Sequence, residues 1–283
     1  GAEPWRFMLG IEGIPAILFF VLLFVVPRSP RFLIKIGEIE EAKKVLILSG
    51  DNDPDKKILE VQEDLHQSKT SSSNLFSKHY FRPISIAVLV AMFNQFSGIN
   101  AILYFAPRIF EMTGLSSSDS LLQPVLIGIT NGLFTMLGLV IIDKVGRKKL
   151  LIVGSIGMSI CLGMLSKIFF LQDFGSYGVL IWLVIYIMFF AFSTGAVIWV
   201  LIAEIFPNNV RGQGQALGSF THWFFAALIT FLFPVILESG TYGGALTFTF
   251  YALMMVVQAI VVWKYFPETK GKTLEELGKE MST

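Results

Sequence analysis

Polar side chains stand in the middle of a long apolar stretch that runs from about residue 83 to residue 110. They are Asn94, Gln95, Ser97, Asn100 and Tyr104, with a glycine at Gly98. Hydrocarbon cannot solvate an amide, so such residues persist in a spanning helix where they face other helices or a wet cavity. On an ideal helix all of these polar residues except Gln95 share one face, and a bend at Gly98 would bring Gln95 to it. We predict a polar pocket at mid-membrane for a neutral, hydroxyl-rich ligand.

Other apolar stretches carry isolated polar or indole groups. They contain Asn131, the Ser-Thr-Gly run at 193–195, and the pair His222 and Trp223. Each group alone is more often a helix–helix contact than a ligand contact, but several of them in separate stretches favour a shared cavity. Amides both donate hydrogen bonds to hydroxyls and accept them, and indole faces stack on the C–H faces of pyranose rings. These groups therefore suit a sugar.

Ionisable residues are scarce in the apolar stretches, where Glu12 and Glu204 stand out. A cation channel needs rings of carboxylates, and a proton relay needs chains of Asp, Glu or His. Neither pattern is present in the sequence, which also lacks metal-ligand spacings, a glycine-rich phosphate loop and a nucleophile–base pair. We therefore predict no enzymatic activity, no cofactor and no metal site.

The composition is that of an integral membrane protein. Hydrophobic residues make up 54% of the 283 positions and charged residues 15%, whereas soluble domains carry about 25% charged residues. At about 20 apolar residues per crossing, the predicted spans are 7–26, 83–107, 122–142, 149–170, 178–203, 215–237 and 244–266. The predicted fold class is an all-α membrane protein with about seven transmembrane helices.

Basic residues alternate between the loops that join these spans. The segment 27–82, the loop after residue 142 and the C-terminal tail are rich in Lys and Arg, whereas the loops 111–121 and 238–243 have none. The positive-inside rule places the basic segments in the cytoplasm. A net charge of +1 gives no indication of a nucleic-acid partner.

The segment 27–82 is predicted to form short cytoplasmic helices. Glu40 and Lys44 have the spacing of a helical ion pair, and Asp53 before Pro54 is typical of a helix start. An apolar stripe is predicted from Ile58, Leu59, Val61 and Leu65. A capping-box pattern at 273–276 predicts another short helix in the tail. The alternative for these segments is a solvated linker without a function of its own.

Charged residues follow the third and fifth predicted spans on the cytoplasmic side. Arginine forks bind carboxylates bidentately. If Arg147 reaches Glu204 and Arg211 reaches Asp143, two helix pairs are latched at the inner face. The alternative is that these charges serve only topology and solubility, which accounts for the lysines but not for Glu204.

Five motifs then occur in order along the chain: PRSPR at 27–31, NQFSGIN at 94–100, DKVGRK at 143–148, EIFPNNVRG at 204–212 and PETKG at 267–271. Together they resemble the sugar porter family of the major facilitator superfamily over nearly the whole chain. Bacterial xylose–proton symporters and animal facilitative glucose transporters are resembled about equally. The resemblance implies a twelve-helix fold built from two halves.

Under this resemblance the chain corresponds to helix six and everything after it, with helices one to five missing. The implied domains are 1–26 as helix six, 27–82 as the cytoplasmic helical linker, 83–267 as the C-terminal six-helix half and 268–283 as the cytoplasmic tail. The protein is expected to be a multi-pass protein of the cell membrane with a cytoplasmic C-terminus. Its expected partners are the lipid bilayer, the N-terminal half, a monosaccharide and, where transport is coupled, protons.

The resemblance also assigns site residues. The substrate-binding positions are Asn94, Gln95, Asn100, Asn131, Trp199 and Trp223. The gating positions are Tyr104, Gly98, Asp143, Arg147, Glu204 and Arg211. This chain departs from the family pattern at Asn94 (glutamine in the family), Ala196 (proline), His222 (Asn or Gln) and Arg28 (Glu).

The predicted function is transport of a hexose or pentose by alternating access. Two alternatives stay open at this stage: transport of another polyol such as inositol, and a sugar sensor that binds without transporting. The sequence also leaves open whether transport is coupled to protons, because the coupling residues of the family lie in its first half.

Overall fold

The computed structural model describes residues 4–70, 74–112, 117–174, 177–207, 209–272 and 277, and the regular structure in these ranges is entirely helical. The helices are α1 (Pro4–Ile11), α2 (Gly13–Leu23), α3 (Pro30–Ile36), α4 (Ile39–Leu48), α5 (Pro54–Thr70), a 3-10 helix (Lys78–Tyr80), α6 (Phe81–Phe96), α7 (Ile99–Glu111), α8 (Ser117–Val145), α9 (Arg147–Leu171), α10 (Gly178–Phe190), a π-helical turn (Ala191–Gly195), α11 (Ala196–Glu204), α12 (Arg211–Leu237) and α13 (Gly243–Tyr265). The all-α fold class predicted from the sequence is confirmed. The chain divides into two compact units, Gly1–Ser72 and Ser73–Thr283.

The first predicted span, 7–26, falls on two short helices of the first unit. The helix is interrupted at Glu12, where Pro15 cannot donate the backbone hydrogen bond to the carbonyl of Ile11. The second piece, α2, has 11 residues and none of them is buried. It is apolar but too short to count among the spanning helices by length, so a membrane span at 7–26 stays a prediction.

The helices α3, α4 and α5 pack around a small core of their own, formed by Leu33, Ile34, Ala42, Leu46 and Ile58. The predicted helix start at Pro54 is confirmed, because the Asp53 carboxylate accepts a hydrogen bond from the backbone N–H of Lys56 at 3.2 Å.

The predicted apolar stripe is wrong at Leu59, which is exposed, because the core contacts of α5 centre on Ile58. The sequence also suggested an ion pair within α4, between Glu40 and Lys44. The described ion pairs of this region include one between Lys43 and Asp55, which joins α4 to α5 at 2.7 Å, and the pair within α4 stays a prediction. The hydrogen bond to Asp55 raises the pKa of Lys43.

Six segments of the second unit are long and apolar enough to cross a membrane. They are Lys78–Glu111, Gln123–Val145, Arg147–Leu171, Gly178–Glu204, Arg211–Leu237 and Gly243–Tyr265. These six coincide with the last six predicted spans, which are therefore confirmed as helices of spanning length. The first combines α6 with α7, and the fourth combines α10, the π-helical turn and α11.

Buried polar residues form a layer between two apolar clusters of the second unit. On α13, for example, Met255 belongs to one cluster, Val262 belongs to the other, and the buried Gln258 stands between them in sequence. The same order recurs on the other spanning helices. We call these residues the polar layer: Asn94, Gln95, Ser97, Thr130, Ser155, Ser193, Thr194, Thr221, His222 and Gln258.

The bend expected at Gly98 is present as a complete helix break. Gly98 has a φ of +83° and separates α6 from α7. A Cβ at this position would lie 2.4 Å from the ring of Tyr251. The Tyr186 hydroxyl, on α10, donates a hydrogen bond to the carbonyl of Ser97 at the break, at 2.9 Å. The break is thus fixed by a residue without a side chain and by two tyrosines from neighbouring helices.

Replacing Gly98 by alanine is therefore expected to destabilise the protein. The left-handed backbone alone costs an alanine about 1–2 kcal/mol, and the overlap with Tyr251 adds to that cost. We expect the thermal unfolding temperature of the purified Gly98→Ala variant in detergent to fall clearly. The matched control is Gly132→Ala, whose Cβ would meet no atom within 4 Å. Equal unfolding temperatures for the two variants would contradict this account of the break.

Candidate functional site

Three amide side chains on α6 and α7 form a continuous hydrogen-bonded chain in the polar layer. Asn100 Nδ2 donates to Gln95 Oε1 at 3.0 Å, and Gln95 Nε2 donates to Asn94 Oδ1 at 3.0 Å. Asn94 Nδ2 in turn donates to the backbone carbonyl of Thr194 at 3.4 Å. We call Asn94, Gln95 and Asn100 the amide chain.

The helix break at Gly98 permits this arrangement. Residues 95 and 100 would point about 140° apart around an uninterrupted helix. With the break between them, their side chains are within hydrogen-bond distance. The sequence-based expectation that Gly98 brings Gln95 toward its polar neighbours is met in this contact.

Members of the amide chain differ in how accessible they are. Asn94 and Gln95 are buried, at 2% and 0% exposure, whereas Asn100 is half-buried. Asn100 is therefore the most accessible member of the amide chain, and its contact with Gln95 Oε1 covers that oxygen.

His222 on α12 adjoins the amide chain and the predicted indole residues. Its two ring nitrogens lie 3.3 Å and 3.2 Å from Gln95 Nε2. The Trp199 ring centroid is 4.9 Å from that of the imidazole, and the Trp223 centroid is 5.2 Å from it. Trp199 is 44% exposed and Trp223 is 60% exposed, so both indoles offer surface to a ligand.

Two further residues assigned by the sequence lie outside this group of contacts. Asn131 is half-buried on α8, and the described residues provide no hydrogen bond between it and the amide chain. Tyr104 is exposed on α7, while its neighbour Phe105 packs against Phe233 with ring centroids 5.3 Å apart. The ligand-binding and gating roles of these residues stay predictions.

Gln258 was missed by the sequence reasoning, although it is a member of the polar layer. It is fully buried, and its Nε2 lies 3.5 Å from the Thr194 hydroxyl. The sequence did carry a signal, because Gln258 is an isolated amide in the apolar run of α13. It was overlooked because no other polar residue stands beside it.

Where α9 begins and α11 ends, the predicted contact between Arg147 and Glu204 is confirmed. Arg147 Nη2 lies 2.6 Å from Glu204 Oε1, and Arg147 Nε donates to Oε2 at 3.1 Å. The fork-to-carboxylate geometry is bidentate, which makes the pair both strong and specific. The arginine side chain is only 9% exposed and the glutamate 23%.

The second predicted contact, between Arg211 and Asp143, is wrong. Asp143 lies one turn before Arg147 and binds its Nη1 at 2.9 Å. Arg211 donates its Nε to the carbonyl of Phe206 at 3.2 Å. The i,i+4 spacing of Asp143 and Arg147 gives a short local path that the sequence reasoning did not consider.

The motif PETKG completes this inner cluster. Glu268 accepts hydrogen bonds from the backbone N–H groups of Arg147 at 2.9 Å and Lys148 at 3.2 Å, at the start of α9. Thr269 donates its hydroxyl to Glu204 Oε2 at 2.6 Å. A carboxylate at a helix N-terminus satisfies unpaired backbone donors and the helix dipole. We call Asp143, Arg147, Glu204, Glu268 and Thr269 the inner cluster.

The described residues thus form an all-helical bundle of spanning length, with amides and indoles at the level of the polar layer. A family model described as "Sugar (and other) transporter" matches residues 1–281. The chain belongs to the sugar porter family of the major facilitator superfamily. This is a family of transporters.

Individual relatives agree with this assignment. The chain is 37% identical over 280 residues to a D-xylose-proton symporter of Escherichia coli K12, covering 97% of this chain and 57% of the symporter. It is 32% identical over 282 residues to the glucose transporter GlcP of Staphylococcus epidermidis, covering 99% of this chain and 63% of GlcP. The chain thus spans about three fifths of the length of these relatives.

A solved structure has the same fold. It is the proton:xylose symporter XylE, of the major facilitator superfamily, bound to 6-bromo-6-deoxy-D-glucose. The TM-score is 0.84 at 36% identity, and the match covers 98% of this chain and 59% of that structure.

Removing one partner of the buried inner pair is expected to destabilise the protein. In Glu204→Gln the guanidinium of Arg147 keeps the exposed Asp143 and the carbonyl of Ile142, and the loss of its buried partner costs about 3 kcal/mol. The matched control is Glu238→Gln, which breaks an exposed pair with Arg108 whose side chains are 53% and 58% exposed. That control should lose much less, because water screens an exposed pair. Thermal unfolding of both variants in detergent tests this, and equal losses would contradict the difference in burial.

Proposed function

We propose that this chain is the C-terminal part of a monosaccharide transporter that works by alternating access. The observation that carries the proposal is the amide chain, held in the polar layer between two apolar clusters and bordered by exposed indoles. Amides at this depth need hydrogen-bonding partners. A sugar supplies several hydroxyls at once, each of which both donates and accepts.

In this proposal the amides hold the hydroxyls and the indoles pack against the ring. Asn100 makes the first contact because it is the accessible member of the amide chain, and Gln95 contributes Oε1 once the sugar is bound. Asn131 supplies a further amide from α8. Trp199 and Trp223 present apolar faces beside His222, and Asn94 serves to orient Gln95.

The substrate class proposed is an aldopyranose, either a hexose or a pentose. Relatives named for xylose and for glucose match the chain at similar identity, which supports the class without choosing between the two. Several relatives are named as proton symporters, and we extend proton coupling to this chain only as part of the proposal.

Coverage of about three fifths of the relatives supports a longer transporter whose first five helices precede this chain. Residues 1–26 then act as helix six, 27–82 as the cytoplasmic linker, 83–267 as the C-terminal half and 268–283 as the cytoplasmic tail. The transporter would lie in the cell membrane with its C-terminus in the cytoplasm.

The inner cluster is proposed as the cytoplasmic gate. Arg147 and Glu204 join the start of α9 to the end of α11, and Glu268 with Thr269 adds the segment after α13. While these contacts hold, the inner ends of the helices stay together, which favours the outward-facing state. On the outer side, Tyr104 and the helix break at Gly98 allow α7 to close over a bound sugar.

The proposal is tested by uptake of D-xylose and D-glucose into proteoliposomes that contain the complete transporter, with and without an imposed proton gradient. Saturable uptake of either sugar supports monosaccharide transport, and dependence on the gradient supports symport. Uptake of inositol in preference to both sugars would contradict the substrate class. Sugar binding without uptake would indicate a sensor.

Asn100→Ala is expected to reduce the affinity for sugar more than it reduces the stability of the fold. Loss of a hydrogen-bonding amide at the site costs about 1.4 kcal/mol, which is about a tenfold rise in KM or Kd. The matched control is Ser166→Ala, which removes a contact of 3.0 Å to the carbonyl of Ala245 between α9 and α13, away from the amide chain. Its KM should match the unsubstituted protein. An unchanged KM for Asn100→Ala would contradict the site.

A further inference from the structure

His222 is the one imidazole among the described contacts of the amide chain. It lies on α12, is 9% exposed, and has Gln95 and Trp199 as neighbours. The sequence holds three histidines in all. Because a neutral imidazole can accept a hydrogen bond and an imidazolium cannot, the protonation state of His222 decides what it can offer Gln95.

The direction of hydrogen bonding in the amide chain is set at one end by a backbone carbonyl. The carbonyl of Thr194 can only accept, so Asn94 must present Nδ2 to it. Asn94 Oδ1 then faces Gln95 and can only accept a hydrogen bond, so Gln95 must donate from Nε2. This leaves Gln95 Oε1 for Asn100. Each amide orientation follows from the one before it, so a rotation of one amide requires a rotation of the others.

It follows that Gln95 presents an amide donor to His222. Gln95 Nε2 carries two hydrogens; one is used on Asn94 Oδ1, and the other is turned toward His222. The two imidazole nitrogens lie at nearly equal distances of 3.2 Å and 3.3 Å, so the amide nitrogen stands over the face of the ring. The electron-rich face of a neutral imidazole accepts this hydrogen. A protonated imidazole sets a positive ring against the amide donor, and Gln95 cannot turn away without losing both Asn94 and Asn100.

We propose that His222 is a positioning residue that holds the Gln95 amide in the orientation set from Thr194, as sugar binding requires, and that it does so only in its neutral form. This inference rests on the proposed function, since it concerns the same site. Its consequence is that sugar binds best when His222 is neutral and more weakly as the pH falls through the imidazole titration. A glutamine at this position would keep the orientation and lose most of the pH dependence.

No charged side chain is among the described contacts of His222, which are Gln95 from α6, Trp199 from α11 and Trp223 from its own helix. The helices packed against α12 carry ionisable groups elsewhere. Arg108 on α7 is bound to Glu238 and Glu111, and Glu204 on α11 is bound to Arg147.

The phenols on these helices are Tyr104, Tyr251 and Tyr265. Tyr251 on α13 lies against Gly98, and the other two are exposed. Remaining charges lie toward the ends of the helices, at Arg82, Lys264 and Arg211. Along α12 itself, Arg211 and Glu238 are about 16 Å and 24 Å from His222 at 1.5 Å rise per residue. Proton uptake at His222 therefore has no neighbouring counter-ion in the described contacts.

The test is equilibrium binding of D-xylose and D-glucose to the purified complete transporter, without a proton gradient, from about pH 8 to about pH 5, where histidine titrates. For the unsubstituted protein we expect the Kd to rise about tenfold across this range. His222→Gln should bind with nearly the affinity seen at the upper pH and show a much flatter profile. His222→Leu, which offers neither an acceptor nor an aromatic face, should bind weakly at every pH.

The matched control is His79→Gln, since His79 lies in the 3-10 helix before α6 and contacts Tyr80. Its pH profile should follow the unsubstituted protein. A pH dependence in His222→Gln as large as that of the unsubstituted protein would overturn the inference, and so would full affinity in His222→Leu. The complete absence of sugar binding in the unsubstituted protein would instead overturn the proposed function, and the two failures are therefore distinct.

Discussion

The constraint on which this structure depends is that amides at bilayer depth must find hydrogen-bonding partners without water. The amide chain meets this requirement through one continuous series of contacts that ends on the carbonyl of Thr194. Two features make the series possible: the helix break at Gly98 and the π-helical turn Ala191–Gly195. Each is a departure from an uninterrupted helix, and each occurs at the level of the polar layer.

The inner cluster joins several helix ends through a few charged and polar side chains. A buried ion pair gains little net stability once its desolvation is counted, so the pairing of Arg147 with Glu204 is better understood as a means of specifying one arrangement of the helices. Thr269 and the helix start of α9 are joined to the same pair through Glu204 and Glu268. Any motion that separates α9 from α11 must therefore break several contacts together, which favours two distinct states over a continuous range.

The sequence predicted the features that depend on local pattern. The last six spans follow from apolar length, the break follows from a glycine among polar residues, and the pairing of Arg147 with Glu204 follows from complementary charge. The pairing of Asp143 with Arg147 is local in sequence and could have been predicted from its spacing, whereas the other misses depend on tertiary geometry. The role of Glu268 is set by the backbone at Gly146, whose φ of +97° turns the start of α9 toward the carboxylate. Gln258 and the orientation set by Thr194 become visible only when helices distant in sequence are brought together.

The π-helical turn has a consequence for the whole stretch from Gly178 to Glu204. A π-helical turn holds about one residue more than an α-helical turn, and one residue corresponds to about 100° of rotation. A helical wheel that is drawn through α10 and continued into α11 as one α-helix therefore misplaces every residue after Gly195 by about 100°. This rotation places Trp199 beside His222 and Glu204 beside Arg147. Deleting one residue from the turn would rotate Trp199 away from His222 and Glu204 away from Arg147 in a single step.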